Sequence, residues 1–286
     1  MELYIVDAFT DQIFGGNQAG VVILGNSENF PEASVMQRIA AELKHSETAF
    51  VKEVNQNTFH IRYFTPNNEI ELCGHATISS FTVLRNEKHL AVGDYKLITL
   101  AGTLHIVIEA ECIWMEMTEG KLIMQFSPSE SIELYHAFGL SIQDKPEQLY
   151  PCIVSTGLSD ILLPVSSKEK LNQALQNRNE VIEVSKKYNV VGIHMFSYEA
   201  TAEATAFCRN FAPLYDIDEE AATGTSNGAL SYYLSSMSLI NKMDINRFIQ
   251  GERMGKPSVI LSKISDSNTI YIGGNAVISV NGYLRV

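Results

Sequence analysis

Two stretches of this chain follow one plan, and that repetition limits the fold more than any other feature. One reads Arg62-Tyr-Phe64-Thr-Pro66, then an acidic loop, then Cys73-Gly74-His75-Ala76-Thr77 running into ISSFTVLRNEKH. The other reads Arg209-Asn-Phe211-Ala-Pro213, a longer acidic loop, then Thr223-Gly224-Thr225-Ser226-Asn227 running into GALSYYLSSMSL. Upstream, Gly16-Asn17-Gln18-Ala19-Gly20-VVIL is matched by Gly157-Leu-Ser-Asp160-ILLPV, each a turn feeding a short apolar strand. Downstream, ITLAGTLHIVIE and SVILSKISDSNTIYIGGNAVISVNGYLRV both read as strand-turn-strand runs with period-two alternation. A match in four parts and in the same order predicts two similar α+β halves, because internal repeats report repeated supersecondary units.

Helical windows fall between these strands. Residues 31–44 place Val35, Met36, Ile39, Ala40 and Leu43 on one stripe with Pro31 at the start. Residues 75–88 and 225–240 are the other two strong windows, and 171–189 reads as one or two surface helices. The 286-residue length is enough for two domains with separate cores.

A formal charge of −12 argues against a grip on phosphate backbones, so nucleic acid is not expected as a partner. No apolar run reaches membrane-spanning length and the opening residues lack a basic secretory segment, so a cytoplasmic chain with no membrane partner is expected. Cys73, Cys112, Cys152 and Cys208 are scattered without metal-ligand spacing, which predicts reduced thiols, no disulfide framework and no metal. No glycine-rich nucleotide motif occurs, so no cofactor is expected.

Chemistry is expected at the two Gly-containing corners, Cys73-Gly74 and Thr223-Gly224, each of which opens a helix. Amides and dipole at a helix start suit an anion, and two such ends facing one cleft would suit a small carboxylate. The plain alternative is that the glycines permit tight turns and that His75 or Thr225 caps a helix. His75, in a first helical turn, is expected to be neutral, because the dipole lowers its pKa. Glu47, in Ser46-Glu47-Thr48-Ala49-Phe50-Val51, stands at the mouth of an apolar strand, where desolvation would raise its pKa and suit it to acid-base work. Its alternative is an exposed strand-end acid. Glu69, Glu71, Asp216, Asp218, Glu219 and Glu220 read mostly as solvated loop charges. Gly224-Thr-Ser226-Asn-Gly228 matches a hydrolase elbow, but no histidine follows Ser226, so a hydrolase is not expected.

Taken together, VDAFTDQIFGGNQAGVVIL, HSETAFV, IRYFTPNNEIELCGHAT, RNFAPLYDIDEEAATGTSNGALSYYL, GERMGKPS and YIGGNAVISVNGYLRV resemble the PhzF-like family, named for the phenazine-biosynthesis isomerase, within the wider diaminopimelate epimerase-like fold. The resemblance implies two topologically similar domains, each a mostly antiparallel sheet wrapped around a central helix, with the active site between them. On that frame the first domain is residues 1–126, with the last strand, about 277–286, returning to it, and the second is 127–286. The implied chemistry is a cofactor-independent isomerisation that moves a proton within a small carboxylate-bearing metabolite. Glu47, His75 and Glu220 are the catalytic positions it implies; Asn17, Ser46, Cys73, Gly74, Thr223, Gly224 and Thr225 are the substrate-binding ones. It also implies a homodimer.

Glu220, Ala221 and Thr225 stand where the family usually has Asp, Pro and Ser; Gln18 replaces a usual Pro, and Lys256 a common Arg. The related epimerases oppose two thiols, whereas here Thr223 stands where a second Cys would be, and a hydroxyl is no substitute for a thiolate base. Two other readings remain open: a metabolite-binding protein without turnover, and an amino-acid epimerase using Glu47 with another base.

Overall fold

The computed structural model describes residues 1–25 and 29–285. The chain divides into two compact units, one formed by Met1–Glu116 with Gly273–Val286 and the other by Met117–Ile272. No helix among the described residues is long and apolar enough to cross a membrane.

The first unit contains β1 (Glu2–Ala8), β2 (Asn17–Ile23), α1 (Ala33–Leu43), β3 (Glu47–Asn55), β4 (Thr58–Phe64), β5 (Glu69–Ile70), α2 (Gly74–Glu87), β6 (Gly93–Thr99), β7 (Gly102–Ile108) and β8 (Ile113–Glu116). The second contains β9 (Lys121–Gln125), α3 (Pro128–His136), β10 (Cys152–Ser155), β11 (Ser159–Pro164), α4 (Lys168–Gln173), α5 (Arg178–Tyr188), β12 (Ile193–Tyr198), β13 (Ala206–Ala212), β14 (Ile217–Glu220), α6 (Gly224–Ser236), β15 (Asn246–Gln250) and β16 (Ser258–Ile264). The chain then runs through β17 (Ile270–Gly274) into β18 (Ala276–Tyr283), which pairs antiparallel with β1.

Strand pairing repeats the sequence plan. In the first unit β1–β2 is antiparallel, β2–β3 parallel, β3–β4 and β4–β5 antiparallel, β4–β6 parallel and β6–β7 antiparallel. In the second, β10–β11 is antiparallel, β11–β12 parallel, β12–β13 and β13–β14 antiparallel, β13–β15 parallel and β15–β16 antiparallel. The parallel steps occur where a helix intervenes, since a crossover needs that length of chain.

Each sheet wraps a central helix. In α2 every residue from Gly74 to Leu84 is buried, and it packs against β1, β2, β3, β8 and β18. In α6 burial is almost as complete, with packing against β9, β10, β11 and β16. A helix buried on all sides has no polar face, so its hydroxyls turn inward: Thr77 and Ser80 donate to the carbonyls of Cys73 and Ala76, and Ser231 donates to that of Asn227. The α1 helix is amphipathic instead, burying Met36, Ile39 and Ala40 against Val22, Phe50 and Phe64, with Val35 and Leu43 half-buried beside them. The windows read from sequence at 225–240 and 171–189 resolve as α6, which stops at Ser236, and as two helices, α4 and α5.

One expectation holds only in part at the corners, where Glu71, Asp216 and Asp218 are exposed but Glu69, Glu219 and Glu220 are half-buried. The acidic loops are not simply solvated: Arg62 makes a bidentate pair with Glu69 at 2.7 Å, and Arg209 makes one with Glu219 at 2.9 Å. Each guanidinium also lies over the phenylalanine two residues further on in its own motif, Arg62 over Phe64 at 5.4 Å and Arg209 over Phe211 at 4.9 Å. The repeated arginines thus tie each acidic loop back onto the sheet, offsetting loop charges that would otherwise repel.

Candidate active site

The first corner gathers Asn17, Ser46, Glu47, Cys73 and His75. Cys73 is the N-cap of α2, with extended backbone (φ −140°, ψ 118°) and no side-chain cap hydrogen bond, and His75 follows in the first turn. Glu47 is the first residue of β3, and Asn17 the first of β2. Gly16 sets the approach of β2: its φ is +60°, and a Cβ there would lie 2.1 Å from the Ala8 carbonyl oxygen. Only glycine fits that turn. Asp7 secures the same loop, accepting from the Phe14 amide at 2.9 Å and the Gln18 amide group at 3.0 Å.

His75 is surrounded on both ring nitrogens. Glu47 Oε2 lies 3.0 Å from Nε2, and Ser46 Oγ 3.3 Å from the same atom. Asn17 Nδ2 lies 3.2 Å from Nδ1, and Cys73 Sγ lies 3.4 Å from Nδ1 and 3.8 Å from Nε2. Glu47, His75, Cys73 and Asn17 are all buried. The Glu47–His75 approach is a charge contact out of hydrogen-bond alignment, for Oε2 has no hydrogen-bond partner although it is shielded from solvent.

Protonation reverses what each residue suggests alone. Burial pushes the Glu47 carboxyl up, but the close positive charge of His75, with help from Ser46 and Cys73, outweighs it, and the pKa falls below the ordinary 4.5. Burial likewise opposes the imidazolium of His75, yet the adjacent Cys73 sulfur and Glu47 carboxylate carry its pKa well above 6.5. Cys73 itself is pushed up to about 11 by burial and by Glu47, so it is a neutral thiol near neutral pH, and the Glu47 carboxylate is the charge that holds the imidazolium. The expected raised Glu47 and neutral His75 are therefore corrected: close opposite charge wins over both desolvation and the helix dipole.

Glu47, Cys73 and His75 bring a carboxylate oxygen, a sulfur and a ring nitrogen within 4.8 Å of one another. The sulfur, however, is almost equally far from two ring nitrogens whose lone pairs diverge on opposite sides of the ring. It lies along neither, so a cation held on Nε2 would leave Sγ out of reach until the side chains rearranged.

The second unit places Glu220, Thr223, Gly224 and Thr225 together at the start of α6, again with no side-chain cap hydrogen bond. Thr223 Oγ1 donates to Glu220 Oε2 at 2.5 Å. Gln250, which the sequence reading missed, is the hub here. Its Nε2 donates to the Glu220 carbonyl at 2.8 Å and to Thr223 Oγ1 at 3.1 Å. Its Oε1 accepts from the Thr223 amide at 3.3 Å and from Asn227 Nδ2 at 2.9 Å. Next to it Gly251, at φ +80°, passes close enough to Ala221 that a Cβ would meet its carbonyl oxygen at 2.7 Å. The GERMGKPS motif that follows Gln250 was the only available signal for this buttress.

Ser226, the nucleophile position of the hydrolase-like motif, donates instead to buried Asp160 at 2.6 Å, and the Gly192 amide donates to the other Asp160 oxygen at 3.1 Å. Burial pushes Asp160 up to about 6 against both hydrogen bonds. His194 is also buried, with Nδ1 3.1 Å from Asn210 Oδ1, and burial draws its pKa down to about 4. These are packed polar groups inside the unit.

The comparisons agree with this architecture. Over 290 residues the chain is 30% identical to an uncharacterized isomerase of Clostridium acetobutylicum, covering 96% of this chain and 95% of that one. The crystal structure of a Bacillus anthracis phenazine biosynthesis protein of the PhzF family matches with a TM-score of 0.88 at 25% identity, covering 100% and 99% of the two chains. A probable proline racemase of Agrobacterium radiobacter K84 matches in fold alone, with a TM-score of 0.63 at 12% identity over 100% of this chain and 93% of that one. Fold and relatives define the class: an isomerase on an α+β epimerase-like fold. The chain belongs to the phenazine biosynthesis-like (PhzC-PhzF) family, whose profile matches residues 6–282.

Proposed function

We propose that this isomerase moves a proton between two carbons of a small carboxylate-bearing metabolite, with Glu47 as general base and then general acid. The observation that carries the reading is the buried Glu47 Oε2, 3.0 Å from His75 Nε2 yet without a hydrogen-bond partner. An ionised carboxylate is what a base requires, and one not saturated by donors keeps a lone pair for the incoming proton.

The step balances without redox change. Glu47 takes a proton from one carbon, the electron pair passes into the adjacent unsaturation, and the resulting carboxylic acid returns the proton to a second carbon. Such a transfer needs no net oxidant or reductant. The His75 imidazolium supplies positive charge and hydrogen bonding to the anion formed in between. In each unit the uncapped helix start is the candidate for carboxylate recognition: Gly74 in α2, and Gly224 and Thr225 in α6, where Glu220 held by Thr223 is a further hydrogen-bonding group. Removal of a positioned acid-base group costs about 10²–10⁴-fold in rate.

The test is deuterium incorporation from heavy water into a dihydroanthranilate-type carboxylate, with the native protein and with Glu47→Gln. Loss of incorporation by the variant supports the assignment; equal incorporation overturns it. Two-thiol racemisation is not favoured, because Cys73 is a thiol held near 11 and Thr223 donates its hydroxyl proton to Glu220.

A further inference from the structure

At the start of α6 the direction of one side-chain amide is settled by its main-chain partners. The Glu220 carbonyl can only accept and the Thr223 amide can only donate, and both meet the Gln250 side chain, at 2.8 and 3.3 Å. Nε2 therefore faces Glu220 and Oε1 faces the helix. Asn227 is fixed in the same way, because its Nδ2 lies 2.9 Å from the Thr223 carbonyl and 2.9 Å from Gln250 Oε1, both of them acceptors.

With those directions set, Gln250 Nε2 also donates to Thr223 Oγ1 at 3.1 Å. A hydroxyl that receives a proton there still has its own to give, and it gives it to Glu220 Oε2. We propose that Gln250 is the positioning residue of Glu220: its amide aims the Thr223 hydroxyl at the Glu220 carboxylate while the same nitrogen holds the Glu220 main chain. This rests on the reading of Glu220 as a hydrogen-bonding group of the site, and it adds a residue that acts on that carboxylate through Thr223.

The frame holds Gln250 in place for this role. It is the last residue of β15, buried, and registered against Cys208 of β13 on one side and Ser258 of β16 on the other. Gly251, passing close to Ala221, brings the end of that strand against the chain that joins Glu220 to Thr223. A hydroxyl that accepts one hydrogen bond donates the next more strongly, and donation to a carboxylate favours its ionised form. The neighbouring acids of β14 are engaged elsewhere, Glu219 with Arg209 of β13 and Asp218 with Arg178 of α5.

The experiment reads the carboxylate directly in the full chain. The Glu220 carboxyl 13C resonance is followed against pH, assigned by its disappearance in Glu220→Gln. Thr223→Val removes the donor and should raise the Glu220 midpoint by about one unit. Gln250→Leu keeps the hydroxyl but not its aim, and should raise the midpoint by part of that shift. In the double variant the midpoint should match that of Thr223→Val, because both changes act through one hydroxyl. A native midpoint in Gln250→Leu overturns the proposal, and so does a double-variant midpoint beyond that of Thr223→Val. If Gln250→Leu does not fold, the Gln250 side-chain amide decides in Thr223→Val: one of its two protons should move upfield and exchange faster with solvent while the one on the Glu220 carbonyl stays. Movement of both, or of neither, overturns the proposal. No turnover is measured, so native deuterium incorporation by Glu220→Gln would sink the reading of Glu220 separately.

Discussion

Glu47 Oε2 stands 3.0 Å from His75 Nε2 with both side chains buried, and the two residues ionise each other. The lowered Glu47 pKa contributes stability that is present above about 4.5 and lost as pH falls through its folded value. The raised His75 pKa contributes stability that is complete below about 6.5 and lost as pH rises through its folded value. The pair therefore stabilises most in the window between. His75→Gln should cost about 1–3 kcal/mol there and less at alkaline pH. Urea unfolding of both proteins near pH 5.5 and near pH 9 measures this; an equal cost at the two pH values would mean that the pair is not charged.

The two repeated arginines should differ in weight. Arg209 is almost buried, its side chain 8% exposed, and its guanidinium also donates to the carbonyls of Leu171 and Ala174 at 2.9 Å. Arg62 is 22% exposed and pairs with Glu69. Arg209→Leu, which strands a carboxylate and two carbonyls, should cost about 3–5 kcal/mol. Arg62→Leu, where water can replace the lost partner, should cost about 1 kcal/mol or less. The comparison is made from denaturation midpoints and slopes, and equal losses would contradict the structural asymmetry.

Asp160 should oppose stability as the pH rises. Its folded pKa of about 6 lies above the ordinary 3.8, so the folded state holds the proton more tightly, and stability is lost as pH rises through about 6. Asparagine can accept from the Gly192 amide through Oδ1 and donate through Nδ2 to a reoriented Ser226 hydroxyl, without ionising. Relative to the native protein, Asp160→Asn should therefore gain about 2–3 kcal/mol between pH 4 and pH 7.5. A stability difference that does not change with pH would show that Asp160 is already solvated or paired.

All four cysteines are free and buried. Burial raises Cys73 to about 11 and Cys152 to about 12, and pushes Cys208 well up. Thiolate is the reactive form, so the folded protein at pH 7.5 should react with a disulfide reagent only slowly, and the unfolded protein should release four equivalents at once. Rapid labelling of one thiol in the folded protein would point to a thiolate at that position.

The repeated motifs were enough to read two similar α+β units, because a helix start after a Gly corner and a period-two strand are local patterns. Glu47 and His75 were also legible, each from its place at an element's beginning. Their charge states were not, since each residue alone shows burial or a dipole, while the deciding term is an opposite charge 28 residues away along the chain. The same holds for Arg62 and Arg209, visible as a repeat but not as the partners of Glu69 and Glu219. Gln250 left no trace beyond the adjoining GERMGKPS motif, because its bonds reach Glu220 and Thr223 across 30 and 27 residues. Periodicity and turn chemistry act between near neighbours, and so the sequence by itself determined the elements and their repetition. Which buried polar groups meet, and hence which of them carry charge, was decided only when the sheets closed around their helices.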